Sequence, residues 1–201
     1  MHEYTHGISN RLTGGSRQGN CLQTTTSRGM GEGWSDTLAI YLTRSATMTK
    51  DDDAVLGAYV YNKAAGIRSK PYSTSMERNP YTFSYVGTQN EVHAIGEFWA
   101  LCLFEMYWSL VDAKGVSSNW YDATQEKGST MAFQLVMGGF KLQPCNPTFI
   151  TARDAILAAD QAYYKGANKC LIWKAFAKRG LGTDAEESSF TDGFKLPEEC
   201  N

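Results

Sequence analysis

Two histidines four residues apart, with a glutamate beside the first, form the HExxH pattern His2-Glu3-Tyr4-Thr5-His6. On a helix such histidines project from one face a turn apart and can share one metal ion. Neutral imidazole suits zinc, and a catalytic zinc keeps one position open for water. Glu3 then stands beside the open position, where a carboxylate can take a proton from that water. A third ligand candidate is Glu32, in Gly29-Met30-Gly31-Glu32-Gly33-Trp34-Ser35-Asp36, and Asp36 falls one turn further along the same helical face. Asp36 is the expected partner of a ligand histidine, because ligating imidazoles give their other ring nitrogen to such a group. Three glycines crowd around Glu32, and each costs about 1 kcal/mol in a helix interior unless close packing or a bend requires it. The bland alternative for the HExxH pattern is a pair of solvated helix histidines. Glu32 and Asp36, correctly spaced for a metal site, count against it.

These residues need helices to carry them. The segment Met1 to Leu12 reads as the first, followed by a Gly, Ser and Thr-rich connection through Ser27 and a second helix from about Gly31 to Arg44. The Asp51-Asp52-Asp53 run is positioned to cap a helical stretch to Ala65, after which a polar, proline-punctuated loop continues through Asn90. A loop of that length is a place to look for function. From Glu91 to Ala113 the apolar positions Val92, Ile95, Trp99, Cys102, Leu103, Met106 and Leu110 recur at three- and four-residue steps, which predicts a long buried helix stopped by Gly115. Further helices are expected across Thr130 to Phe140, after Asn146 as N-cap with Pro147 at the first helical position, and from about Ala167 to Arg179, closed by Gly180. Strand signals are sparse, and no repeat or linker divides residues 1–201. The expected architecture is a single, mostly α-helical domain.

A chain of 201 residues, 42% hydrophobic and 20% charged, can bury a sizeable core. A net charge of -2 leaves no basic excess for phosphates, so no nucleic-acid partner is expected. The most apolar stretch, Val92 to Val111, is interrupted by His93, Glu97 and Glu105, which suits a buried helix and not a membrane span. No basic region followed by an apolar run opens the sequence, so it reads as lacking a signal peptide. The five cysteines have no paired CxxC spacing, which argues against a thiolate metal cluster. Cys145 and Cys170 flank a predicted helical hairpin and are the expected disulfide, with Cys21 and Cys200 as the next pairing. Cys102 lies on the apolar stripe of the long helix and reads as a small buried hydrophobe.

The stretch HEYTHGISNRLTGG followed by GMGEGWSD resembles the fungalysin family of zinc endopeptidases, relatives of thermolysin. Gly66-Ile67-Arg68, the segment from Gly87-Thr88-Gln89 to His93-Ala94-Ile95-Gly96-Glu97, and Asn168 to Phe176 fit as well, so the resemblance covers essentially the whole chain. It implies that His2, His6 and Glu32 are zinc ligands, that Glu3 is the catalytic base, and that Asp36 orients a ligand histidine. It also implies that His93 stabilises the oxyanion of the tetrahedral intermediate, with Glu91 as its preferred orienting partner, and that Arg68 contacts a substrate carbonyl. No tyrosine occurs between His6 and Glu32, where thermolysin keeps an oxyanion donor, so that role is either vacant or filled from a loop by Tyr81 or Tyr85.

The family places a β-rich subdomain ahead of the zinc helix, whereas here His2 follows the first residue. The expectation is therefore the helical C-terminal lobe of a longer two-lobe protein, with the β-rich N-terminal lobe and an inhibitory propeptide as further parts and little activity for this chain alone. The resemblance implies a secreted, extracellular enzyme that hydrolyses internal bonds of polypeptides with zinc-activated water. An inactive remnant that keeps the zinc ligands is the second expectation. A zinc aminopeptidase is the third, although 25 residues between His6 and Glu32 is a longer step than that class uses.

Overall fold

The computed structural model describes residues 1–15 and 17–201; Ser16, inside the expected connection after the first helix, lies outside the described residues. Helices dominate: α1 (His2–Leu12), α2 (Thr25–Thr43), the single turns α3 (Ala58–Tyr61) and α4 (Phe83–Val86), α5 (Val92–Lys114), α6 (Gly128–Leu142), α7 (Phe149–Tyr164) and α8 (Lys169–Lys178). Among the described residues only isolated β-bridges occur, such as Ala54 with Tyr72. The mostly helical reading therefore holds.

Several boundaries move for identifiable reasons. α2 begins well before Gly31 because Thr24 and Ser27 form a reciprocal capping box in what reads as a polar connection. Thr148, not Asn146, caps α7, in a second capping box with Thr151. Asn146 instead takes a left-handed conformation (φ 54°), and its side-chain oxygen accepts the Gln23 backbone N–H at 2.8 Å. The Asp51–Asp53 run caps no long helix: Asp52 accepts from Thr49, and Asp53 pairs with Arg78. The long-helix expectation holds, with Glu91 as N-cap and Gly115 (φ 77°) at the stop.

α5 runs through the centre, packed by α2, α6 and α8. It is long and apolar enough to cross a membrane by composition alone, yet 89% of its most apolar window is buried inside the protein, as expected of a core helix. Trp34 of α2 meets Trp99 of α5 edge-on at 5.0 Å between centroids, and Phe149 and Phe176 close around Trp99. Beneath the 66–90 segment, the fully buried Arg179 donates to Glu105 and to the carbonyls of Ser73 and Asn79, each at 2.6 Å.

The glycines around Glu32 divide into two kinds. A Cβ on Gly33 would lie 2.8 Å from Trp99 Cβ, and one on Gly96 would lie 2.7 Å from both Glu32 Cβ and the Gly29 carbonyl oxygen. Gly29 meets Ile95 in the same way, so these three positions let α2 and α5 touch backbone to backbone beside Glu32. Gly31 faces only Leu22, at an ordinary 3.6 Å. Gly96→Ala is accordingly expected to destabilise the protein by about 1–3 kcal/mol through overpacking. Gly31→Ala should stabilise it by about 1 kcal/mol, because it relieves a helix-interior glycine. Urea unfolding of the two variants checks this, and a shift of the same sign in both would contradict the packing account.

The disulfide expectation is corrected. Cys145 pairs with Cys21 and Cys170 with Cys200, while Cys102 is free and buried as expected. The Cys145–Cys170 pairing assumed that the ends of the α6–α8 region face each other. Instead the loop after α6 folds onto the α1–α2 connection, where Asn146 donates its N–H to the Cys21 carbonyl and Gln143 Nε2 donates to Thr13 Oγ1, both at 2.8 Å.

Candidate metal centre

α1 packs across α2 through the small buried residues Thr5 and Ser9, and this contact turns His2 and His6 toward Glu32. The two imidazole centroids lie 4.9 Å apart. One ligand atom from each of His2, His6 and Glu32 can be chosen so that all lie within 4.8 Å of one another. Glu32 Oε2 is 3.1 Å from His2 Nε2 and 3.6 Å from His6 Nε2. Zinc bonds of about 2.0–2.1 Å in a tetrahedral arrangement put neighbouring donors about 3.3 Å apart, so the donor types and their spacing fit zinc.

Asp36, with its side chain fully buried, fixes the first imidazole: Asp36 Oδ1 lies 2.8 Å from His2 Nδ1. With Nδ1–H donating there, His2 Nε2 presents a lone pair to the Glu32 carboxylate. Two acceptors held at such a distance call for a cation or a proton between them. The electrostatics agree. Hydrogen bonds to Asp36 and then Glu32 raise the His2 pKa to about 9. Burial pushes Glu32 up, but hydrogen bonds from His2 and His6 outweigh it and hold the carboxyl below its usual range. Asp36 is likewise pushed up by burial and held down on balance by His2, Arg68 and Tyr72.

Arg68 reaches Asp36 with two prongs, Nε to Oδ2 at 2.7 Å and Nη2 to Oδ1 at 2.9 Å. Its side chain is only 7% exposed, so much of the guanidinium is spent on neutralising Asp36. Its Nη1 has no hydrogen-bond partner among the described residues. His93 sits at the head of α5 with Nε2 at 3.4 Å from Glu32 Oε2. Glu91 Oε1 holds the other ring nitrogen of His93 at 2.6 Å, while Glu91 Oε2 caps α5 through the Ala94 N–H. The expected orienting partner is thus in contact with His93. Glu3 is exposed and forms no hydrogen bond or ion pair with the described residues. It borders an open groove of about 550 Å³ that runs along α1 past Tyr4, Gly7, Ile8 and Arg11.

Three residues of this network escape sequence reasoning. Tyr72 is buried with its hydroxyl on Asp36 Oδ2, held there by the backbone bridge to Ala54. Ser69 and Glu97 bond to each other beside Arg68. Nothing in the loop sequence marks Tyr72 or Ser69, and Glu97 reads as one polar interruption of an apolar helix. Of the two candidate oxyanion tyrosines, Tyr81 places its hydroxyl 3.1 Å from Ser69 Oγ and stacks on Tyr85 at 3.8 Å.

Residues 1–185 match the family described as fungalysin metallopeptidase (M36). The chain is 46% identical over its full length to extracellular metalloproteinase 2 of Arthroderma otae, covering 32% of that protein. It is 48% identical to extracellular metalloproteinase MEP of Fusarium vanettenii, over 98% of this chain and 32% of the relative. It is 49% identical to extracellular metalloproteinase mep of Aspergillus fumigatus, over 94% of this chain and 30% of the relative. The chain spans about a third of the length of these relatives. A donor set of two histidines and a glutamate on a helical scaffold, and a match across nearly all its residues, lead to one conclusion: the chain belongs to the fungalysin metallopeptidase family.

Proposed function

We propose that this chain is the helical catalytic lobe of a secreted zinc endopeptidase, with His2, His6 and Glu32 holding one zinc ion. The convergence of three donor atoms at the spacing of a tetrahedral zinc site carries this reading. When bound, zinc supplies a Lewis acid that polarises the scissile carbonyl and acidifies a water molecule. Glu3 takes the proton from the attacking water and returns it to the leaving amine, a task for which its uncommitted carboxylate is suited. His93, giving its Nδ1–H to Glu91 and carrying a second proton, donates from Nε2 to the developing oxyanion. Asp36 orients His2, Arg68 and Tyr72 fix Asp36, and the free Nη1 of Arg68 is left to meet a substrate carbonyl. The substrates are polypeptides. A β-rich N-terminal lobe supplies the other wall of the cleft, and an inhibitory propeptide holds the longer protein inactive until it is removed. These partners accord with relatives about three times as long as the matched stretch.

The test is metal content. Purified protein dialysed against buffered zinc is expected to retain one zinc per chain, and Glu32→Ala to lose it, by mass spectrometry of the metal. Full retention in Glu32→Ala would remove Glu32 from the ligand set.

A further inference from the structure

The 66–72 loop is held at two adjacent residues by two different helices. Arg68 is gripped by Asp36 of α2. Ser69, the next residue, gives its backbone N–H to Glu97 Oε1 of α5 at 2.7 Å and its hydroxyl to Glu97 Oε2. Glu97 is 8% exposed and sits one helical turn after His93, beneath Ser69, Tyr81 and Tyr85. A buried carboxylate costs desolvation energy, so its retention calls for a task that an apolar residue could not perform. Both its oxygens are used on one residue, and that residue is fused to the arginine that neutralises Asp36.

We propose that Glu97 is a positioning residue for the metal centre: by clamping Ser69 it holds Arg68 against Asp36, and through Asp36 it sets the orientation of His2. The chain of contacts is continuous, from Glu97 to Ser69, along the backbone to Arg68, then to Asp36 Oδ1 and His2 Nδ1. Glu97 itself bonds only to Ser69, so it acts through the residues it positions. The packing of α2 on α5 through Gly33 and Gly96 keeps the two anchors, Asp36 and Glu97, at a fixed separation. Clamping the loop to both helices therefore leaves Arg68 little freedom. The inference rests on the zinc reading above.

The test uses the zinc affinity of the intact chain, by competition with a chromogenic chelator, and the visible absorption of its cobalt-substituted form, which reports ligand geometry. Glu97→Ala is expected to weaken zinc binding about tenfold, the scale of losing an outer contact of a metal ligand, and to shift the cobalt bands. Glu97→Gln should restore most of the affinity, because its side-chain carbonyl still accepts the Ser69 N–H. A Glu97→Ala protein that melts earlier but binds zinc and cobalt as the wild type does would overturn the proposal and leave Glu97 a purely structural residue. If Glu97→Ala does not fold, Glu97→Leu, which fills a similar volume but accepts neither the Ser69 N–H nor its hydroxyl, decides the matter: a severalfold loss with shifted bands supports it, and unchanged binding overturns it. Wild-type protein that binds no stoichiometric zinc would instead overturn the zinc reading itself, and the inference with it.

Discussion

Replacing Glu3 by Gln is expected to leave the zinc content and helical fold unchanged while lowering peptide hydrolysis by a factor of about 10²–10⁴, the usual contribution of a positioned general base. The reason lies in the geometry of α1. Glu3 makes no contact that supports the fold among the described residues, so an isosteric amide there costs no packing. It also belongs to none of the close donor contacts around Glu32, so zinc has no cause to leave. What disappears is the ability to accept a proton. The measurement pairs metal content and far-UV circular dichroism with cleavage of an internally quenched peptide, in the longest form that the gene encodes. Normal turnover by Glu3→Gln would sink the proposed mechanism. A wild-type protein of that form that holds zinc and cleaves nothing would identify an inactive remnant.

The second large effect concerns the link between the α1–α2 connection and the rest of the fold. The Cys21–Cys145 disulfide closes 124 residues of sequence, and the Cys170–Cys200 disulfide closes 30. Loop-closure entropy makes the first worth about 5 kcal/mol and the second about 3.6 kcal/mol. For a domain of this size, the double change Cys21→Ala with Cys145→Ala is expected to lower Tm by roughly 10–20 °C, more than removing the Cys170–Cys200 pair does. Scanning calorimetry of both double variants provides the comparison, and unreduced peptide mapping reads the pairings directly. An equal or reversed order would show that the longer bridge does not restrain the unfolded chain as its loop length requires. Recovery of a Cys145–Cys170 peptide would contradict the pairing itself.

Local pattern was enough to pick out the residues of the candidate site. The four-residue step between His2 and His6 places both rings on one helical face whatever surrounds them, and the step from Glu32 to Asp36 does the same on α2. The long buried helix could also be read directly, because its apolar residues repeat at the helical period over six turns. The start of α2 was less visible. Its capping box is made of Thr24 and Ser27 within a run of polar residues that reads equally well as loop, and packing against α5 decides in favour of helix.

What the sequence by itself determined about this protein is its class, its candidate ligand and base residues and the helices that carry them, because each depends on interactions spanning a turn or two. The crowding of glycines around Glu32 was visible too, with the demand that something approach closely. Only the tertiary structure decided which of them answer that demand: Gly29 and Gly33 meet α5, and Gly31 does not. It alone decided that Tyr72 and Arg68 share Asp36, that Glu97 reaches back to Ser69, and that Cys21 takes Cys145. These contacts join residues 28 to 124 positions apart. No periodicity or local propensity extends over such distances, so partners of this kind are chosen by how the helices pack.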